Sequence, residues 1–426
     1  MSEGLAARAA AQAVLSDVLR KRRPLDAALE AMPHLPPRDA GFARAIASET
    51  MRRFGQIEAL IRHFVPKSPS PHKSGPTLEI LFAGACELLF LNVAAHAAVD
   101  AANRLAQADA KAVHFKSLIN AVLRRISREG QGVIAAQDAA RLNTPDWLWL
   151  SWCEAYGDDT ARAIAEAHGR QPPVDVVLKN ADAMVPDGER LFDNVVRLAD
   201  ASHLDALPGF AQGDWWVQDA AATLPARLLG DVRGTRVIDL CAAPGGKTMQ
   251  LAAMGAIVTA VEREPQRLLR IRENLARTRL EATLVQSDVR DYRPDAPVPF
   301  VLLDAPCTAT GTIRRHPELP WIKSASDVTL CEQAASELFD AAANMVAPGG
   351  TLVFAVCSLE PGEGVAQAES FLSRDARFVR DPVTAQEVFG SSELISAEGD
   401  LRTLPCHLRD QGGMDGFYAA RFRRRS

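Results

Sequence analysis

Apolar residues in the first third of the chain recur at helical spacing. Val14, Leu15, Val18 and Leu19 fall on one helix face, and Lys21-Arg22-Arg23-Pro24 ends that helix. Similar patterns cover 38–64, 77–92, 97–108 and 114–128. Between two of them, PKSPSPHKSGP (66–76) is a Pro/Ser-rich loop. Near 142 the pattern changes. Thr144-Pro145 predicts an N-cap and first helical position for a helix carrying Trp147, Trp149, Leu150 and Trp152. Short alternating runs at 174–180 and 194–200, then WWVQDAA (215–221), predict a small α+β unit. From about 231 the pattern is strand, turn, helix, repeated. Strands are predicted at Arg236–Leu240, Ile257–Glu262, Thr283–Asp288, Phe300–Asp304 and Thr351–Cys357. Strands alternating with helices predict a parallel, doubly wound sheet. The expected fold class is therefore multidomain: an all-α domain over 1–140, a small α+β connecting domain over 141–230, and a Rossmann-like α/β domain over 231–426.

The length of 426 residues suits two or three domains. With 47% hydrophobic and 24% charged residues the chain is neither disordered nor a disulfide-rich miniprotein. The net charge of −5 argues, taken whole, against a nucleic-acid partner. Its distribution changes that picture. Residues 1–140 carry 18 Lys+Arg against 13 Asp+Glu, and the rest of the chain carries 30 against 40. Within 111–128 an apolar stripe (Val113, Leu118, Val122, Ile126) runs beside Lys111, Lys116, Arg124, Arg125 and Arg128. That face is either simply solvated or a contact for an RNA backbone. The seven cysteines are scattered with no C-x-x-C pair, so no metal site is expected. MSEGLAARAA lacks a signal pattern, and the apolar run 80–93 is interrupted by Glu87 and too short for a bilayer. The expectation is a cytoplasmic protein with reduced thiols and no membrane partner.

Candidate chemistry collects at the ends of the predicted strands. The first runs into Asp239-Leu-Cys241-Ala242-Ala243-Pro244-Gly245-Gly246-Lys247-Thr248, a glycine turn that lets backbone amides approach a ligand. The second ends in Glu262, placed to accept both hydroxyls of a ribose, and the third in Asp288, placed to accept from an adenine amino group. Neither G-x-G-x-x-G nor a phosphate loop is present, so a dinucleotide or nucleoside triphosphate is disfavoured. S-adenosylmethionine has no pyrophosphate and needs only the turn and the acids. The fourth strand ends in Asp304-Ala305-Pro306-Cys307, and the fifth carries Cys357 at its tip. Amino-methylating enzymes place an aromatic where Cys307 stands, so a thiol there points to a carbon target. Two cysteines on adjacent strand ends suggest covalent chemistry. Carbon 5 of cytosine is a poor nucleophile until a thiolate adds at C6, and a carboxyl group at N3 stabilises the charge that develops. Spacing alone leaves either cysteine as that nucleophile.

The stretches 239–248, 303–318 (LDAPCTATGTIRRHPE), 356–364 (VCSLEPGEG) and 415–420 (DGFYAA) closely resemble the NOP/Sun family of RNA cytosine-C5 methyltransferases. HAAVDAANRLA (96–106) and FKSLINAVLRRI (115–126) are similar to a NusB-like RNA-binding domain, which within that family marks the branch acting on 16S ribosomal RNA. The resemblance implies a class I S-adenosylmethionine-dependent fold and a role for each motif residue. Cys241 to Lys247, Glu262, Asp288 and Asp304 line the cofactor site. Asp304 also contacts the pyrimidine edge. Cys357 is the nucleophile, Cys307 assists release of the product, and Lys247 is a cation beside Asp304. The implied partner is 16S rRNA, free or in a partly assembled small subunit, with the protein a monomer. Two departures stand out: Val356 where the family has Thr, and Glu262 where it has Asp. The alternatives are the same chemistry on tRNA or another rRNA site, a non-catalytic RNA-binding assembly factor, and a DNA methyltransferase. The NusB-like stretch and the second cysteine disfavour the last.

Overall fold

The computed structural model describes residues 4–426. The chain forms two compact units. One is the chain up to Gln171 together with Ile313–Ser324; the other is Pro172–Thr312 together with Ala325–Ser426.

The first unit is helical. Helices Leu5–Lys21, Pro37–Arg52, Phe54–Phe64, Thr77–Leu89, Ala95–Ala108 and Lys116–Ala135 bury a common core that includes Leu15, Ile46, Met51, Ile57, Leu81 and Leu123. Arg8 and Glu87 form an ion pair in it, 2.7 Å apart. The pattern at 38–64 is two helices rather than one. They part at Arg53, where φ is −107° and ψ 14°, and a Cβ on Gly55 would lie 1.8 Å from the Leu142 carbonyl oxygen. Within 66–76, Pro71–Ser74 makes a single helical turn.

Thr144 does not cap the tryptophan helix. Its Oγ1 donates to Ala140 O at 2.8 Å, closing the preceding turn, and the helix Asp146–Tyr156 begins after Pro145. The stretch 141–230 is divided between the units. Its helices Asp146–Tyr156 and Asp158–His168 belong to the first unit, where Trp152 is fully buried against His168 and Arg52 donates to the carbonyls of His168 and Arg170. Burial beside Arg314 and Arg52 lowers the His168 pKa to about 3, so this imidazole is neutral.

Ile313–Ser324 lies within methyltransferase-like sequence but is built into the helical core. Arg52 donates to Arg314 O, Leu25 N–H to Glu318 Oε1 and Arg22 to Ile322 O. Trp321 meets Phe54 edge to face at 4.9 Å, and Ile322 joins the core.

The second unit holds two sheets. The smaller is antiparallel, in the order β2 (Gly188–Phe192), β3 (Val195–Leu198), β1 (Asp175–Leu178), β4 (Trp215–Val217). Its buried Asp175 takes both prongs of Arg197 and also accepts from Ala220 N–H, tying the sheet to the helix Ala220–Arg227. The larger sheet is formed by β5 (Arg236–Leu240), β6 (Ile257–Glu262), β7 (Thr283–Gln286), β8 (Val298–Asp304), β9 (Val346–Val356), β10 (Phe378–Arg380), β11 (Leu401–Thr403) and β12 (Phe417–Arg424). Its order is β10-β12-β9-β8-β5-β6-β7, with β11 paired to β12. Strands β5 to β9 run parallel; β12 is antiparallel to β9. The core lies on both faces. One face carries Leu224, Met249, Ile271 and Leu275; the other stacks Phe339 on Phe354 and Phe371 at 4.6 and 4.1 Å. This is the expected Rossmann-like fold. The chain reverses direction across the sheet between β5 and β8, and ligands of such sheets bind at the C-terminal strand ends beside that point. Among the described residues, no helix is long and apolar enough to cross a membrane.

Candidate active site

Residues 241–246 lie in the turn between β5 and the helix Gly246–Ala253. Cys241 and Gly245 take left-handed backbone conformations, at φ 58° and 104°, and Ala243-Pro244 is cis. Only glycine adopts the Gly245 conformation without strain, and its N–H closes the turn onto Ala242 O at 2.9 Å. Below the turn, Asp239 is buried and accepts from Thr248 Oγ1 at 2.5 Å; its Oδ1 has no partner among the described residues. Burial, with Asp304 and Glu262 nearby, pushes the Asp239 pKa up to about 7. Burial likewise pushes the Cys241 thiol well above its usual range, which makes it an unreactive lining residue.

Glu262 ends β6 and is 3% exposed. Its carboxylate accepts from Ala243 N–H at 3.3 Å and Glu264 N–H at 3.0 Å. Arg267 bridges the same parts, lying 3.6 Å from Glu262 Oε2 and donating to Ala243 O at 2.8 Å. Asp288 lies two residues past β7. Arg290 grips both its oxygens and holds its pKa near 2, so the carboxylate is always charged.

At the ends of β8 and β9 the remaining predicted residues come together. Lys247 Nζ is 2.7 Å from Asp304 Oδ2 and sits 5.0 Å from the centre of the Phe417 ring. Burial opposes the Lys247 charge, but Asp304 and a Cys357 thiolate favour it, and its pKa is raised overall. The Sγ atoms of Cys307 and Cys357 are 3.5 Å apart, within hydrogen-bonding reach. The Cys357 sulfur, then burial, push the Cys307 thiol well above its ordinary range. Either sulfur can donate to the other across that 3.5 Å.

The loops carrying these thiols are laced together. Gly311 N–H donates to Cys357 O at 3.0 Å, and Gly416 N–H to Gly311 O at 2.8 Å. A Cβ on Gly311 would meet Gly416 O at 1.9 Å, so the close approach requires glycine. Buried Glu363 accepts from Thr308 N–H (2.7 Å), from Thr308 Oγ1 (2.6 Å) and from Ser358 Oγ. Glu363, Arg267 and Phe417 had no role in the sequence reading. Each acts on a residue remote in sequence, so spacing carries no mark of it. The motif 356–364 contains Glu363 without saying what it holds.

The set of donors and acceptors fits S-adenosylmethionine. That molecule presents ribose hydroxyls, an adenine amine and an ammonium group, all donors. The strand ends here present the acceptors Asp239, Glu262, Asp288 and Asp304. The unpartnered Asp239 Oδ1 is one more buried acceptor.

Comparison with known proteins gives the family and the fold. A model of the family described as 16S rRNA methyltransferase RsmB/F matches residues 226–423, and the NusB family model matches 5–128. The chain is 34% identical over 436 residues to ribosomal RNA small subunit methyltransferase B of Vibrio vulnificus, spanning 97% of this chain and 98% of that protein. It is 33% identical over 423 residues to the protein of the same name from Cronobacter sakazakii, spanning 94% and 98%. The crystal structure of PH0851 superposes with a TM-score of 0.77 at 21% identity, covering 99% of both chains, and shares the fold.

Proposed function

Since the chain belongs to the family of ribosomal RNA small subunit methyltransferase B, we propose that it methylates C5 of a cytosine in 16S rRNA through a covalent bond between Cys357 and C6. Its cofactor is S-adenosylmethionine, and the turn 241–247 with Glu262, Asp288 and Asp304 would hold it. When bound, this cofactor supplies an electrophilic sulfonium methyl group. Everything else falls to the side chains.

Cys357 Sγ attacks C6 beside the Lys247 cation. Asp304 contacts the pyrimidine edge, and the Lys247 ammonium, 2.7 Å from Asp304 Oδ2, offsets the negative charge that gathers on the ring as sulfur adds. The addition makes C5 nucleophilic. After methylation the C5 proton must leave and the C6–S bond must break, and Cys307 assists this step as a hydrogen-bond donor to the departing sulfur. The observation carrying the reading is the pair of thiols 3.5 Å apart beside a lysine–carboxylate pair. A binding factor has no use for that arrangement.

The helical unit supplies an RNA-contacting face, with Lys116, Arg124 and Arg128 exposed along one helix. The target base must leave any stack to reach the strand ends. The test is transfer of labelled methyl from S-adenosylmethionine to unmodified 16S rRNA, with bisulfite sequencing to locate the product. A single 5-methylcytosine in 16S rRNA, absent with Cys357→Ala, is the expected result. Labelling of tRNA instead, or of no RNA, overturns the assignment.

A further inference from the structure

We propose that Glu363 is a positioning residue that sets Cys307 against Cys357 and so governs release of the methylated RNA; this rests on the cytosine-C5 reading above. Glu363 is 1% exposed, and its carboxylate collects donors from both thiol-bearing loops. Three of its donors come from the residues directly after the two cysteines: Thr308 N–H and Oγ1 after Cys307, and Ser358 Oγ after Cys357; Cys331 on another helix is a further one. Thr310 extends the lattice, accepting from Leu359 N–H at 2.9 Å and lying 3.2 Å from Ser358 Oγ.

The two loops depend on Glu363 unequally. Cys357 has other supports. Gly311 N–H donates to its carbonyl, Arg402 donates to Ser358 O at 2.7 Å, and the preceding Val356 is paired with Tyr418 in the sheet. After Cys307, two of the bonds that fix Thr308 go to Glu363 alone. Losing Glu363 should therefore loosen Cys307 first. In the release step the C5–H bond breaks and its proton passes to water. Its electron pair closes the C5–C6 double bond, and the C6–S pair departs onto Cys357 Sγ. The Cys307 S–H stabilises that thiolate only if it points at it. A displacement of about 1 Å can cost 10²-fold in such a step.

The experiment compares wild type, Cys307→Ala, Glu363→Gln and Glu363→Ala with unmodified 16S rRNA and S-adenosylmethionine. It reads kcat, KM for RNA and the fraction of protein in covalent adduct on a denaturing gel. Melting and S-adenosylhomocysteine affinity report folding. Glu363→Ala should keep its affinity for S-adenosylhomocysteine and its KM for RNA. Its kcat should fall roughly 10- to 100-fold, and adduct should accumulate toward the Cys307→Ala level. Glu363→Gln should lie between, since its amide oxygen can still meet Thr308 N–H while the two hydroxyls turn to accept. Where Glu363→Ala fails to fold, the isosteric Gln variant decides by the same readings. Adduct and turnover equal to wild type overturn the proposal. So does activity lost only in proportion to cofactor-binding protein, with the adduct fraction unchanged. If Cys307→Ala itself leaves no adduct, the release chemistry fails and this inference fails with it. If Cys307→Ala accumulates adduct and the Glu363 variants do not, only the Glu363 assignment fails.

Discussion

Lys247 Nζ lies 2.7 Å from Asp304 Oδ2, and Lys247 is almost fully buried. Removing one partner of such a pair leaves the other charge uncompensated in a poorly solvated site. Lys247→Met should lower methyl transfer by about 10²- to 10³-fold, the usual loss for one electrostatic contact to a developing charge. Affinity for S-adenosylhomocysteine should fall much less. Steady-state kinetics beside calorimetric binding checks this, and a Lys247→Met enzyme with near-normal kcat refutes it.

Glu262 is the acceptor proposed for the cofactor's ribose, and it also satisfies Ala243 N–H and Glu264 N–H. Glu262→Ala removes a buried charged acceptor, a loss of about 2 kcal/mol or more. S-adenosylhomocysteine should bind about 30-fold more weakly by calorimetry. Glu262→Asp, the family's usual residue, should bind within a few-fold of wild type.

Much of this site was legible beforehand because its residues stand at strand ends, where alternation of strand and helix fixes position. The parallel pairing of β8 with β9 brings Cys307 and Cys357 together as that reasoning required. What escaped were contacts closed by tertiary packing. Residues 313–324 read as part of the methyltransferase, and nothing local reveals that Ile322 finishes a helical core. The helix break at Arg53 was hidden because apolar periodicity runs through it, while Leu142, far along the chain, needs the space at Gly55. Thr144 looked like a cap because it precedes Pro145, but its hydroxyl turns back to Ala140.

Asp239 gives the protein a pH signature. Its pKa in the fold, about 7, is raised above the ordinary value near 3.8. The folded state therefore binds a proton that the unfolded state has released, and this contribution is fully present below about pH 4 and lost as pH rises to 7. Over that window Asp239 lowers stability by on the order of 1 kcal/mol per pH unit. Asp239→Asn should flatten the decline between pH 5 and 7 in denaturant melts compared with wild type. Parallel profiles for the two proteins would contradict the assignment.

On the helical unit, Lys116, Arg124 and Arg128 are exposed on the helix Lys116–Ala135. If they meet RNA phosphates, replacing all three with Ala should weaken binding to 16S rRNA. The slope of log K against log salt should also shrink, by roughly one unit per lost contact. Filter binding from low to moderate salt measures this. Unchanged affinity and slope would make the stripe a merely solvated face.

In the proposed mechanism Cys357 attacks the base and Cys307 frees it. The direct measurement mixes Cys307→Ala and Cys357→Ala separately with 16S rRNA and S-adenosylmethionine, denatures the mixtures, and sequences any cross-linked peptide by mass spectrometry. Cys307→Ala should accumulate a protein–RNA adduct carried on Cys357, and Cys357→Ala should form none and transfer no methyl group. An adduct formed by Cys357→Ala, carried on Cys307, would reverse the two roles and contradict the account.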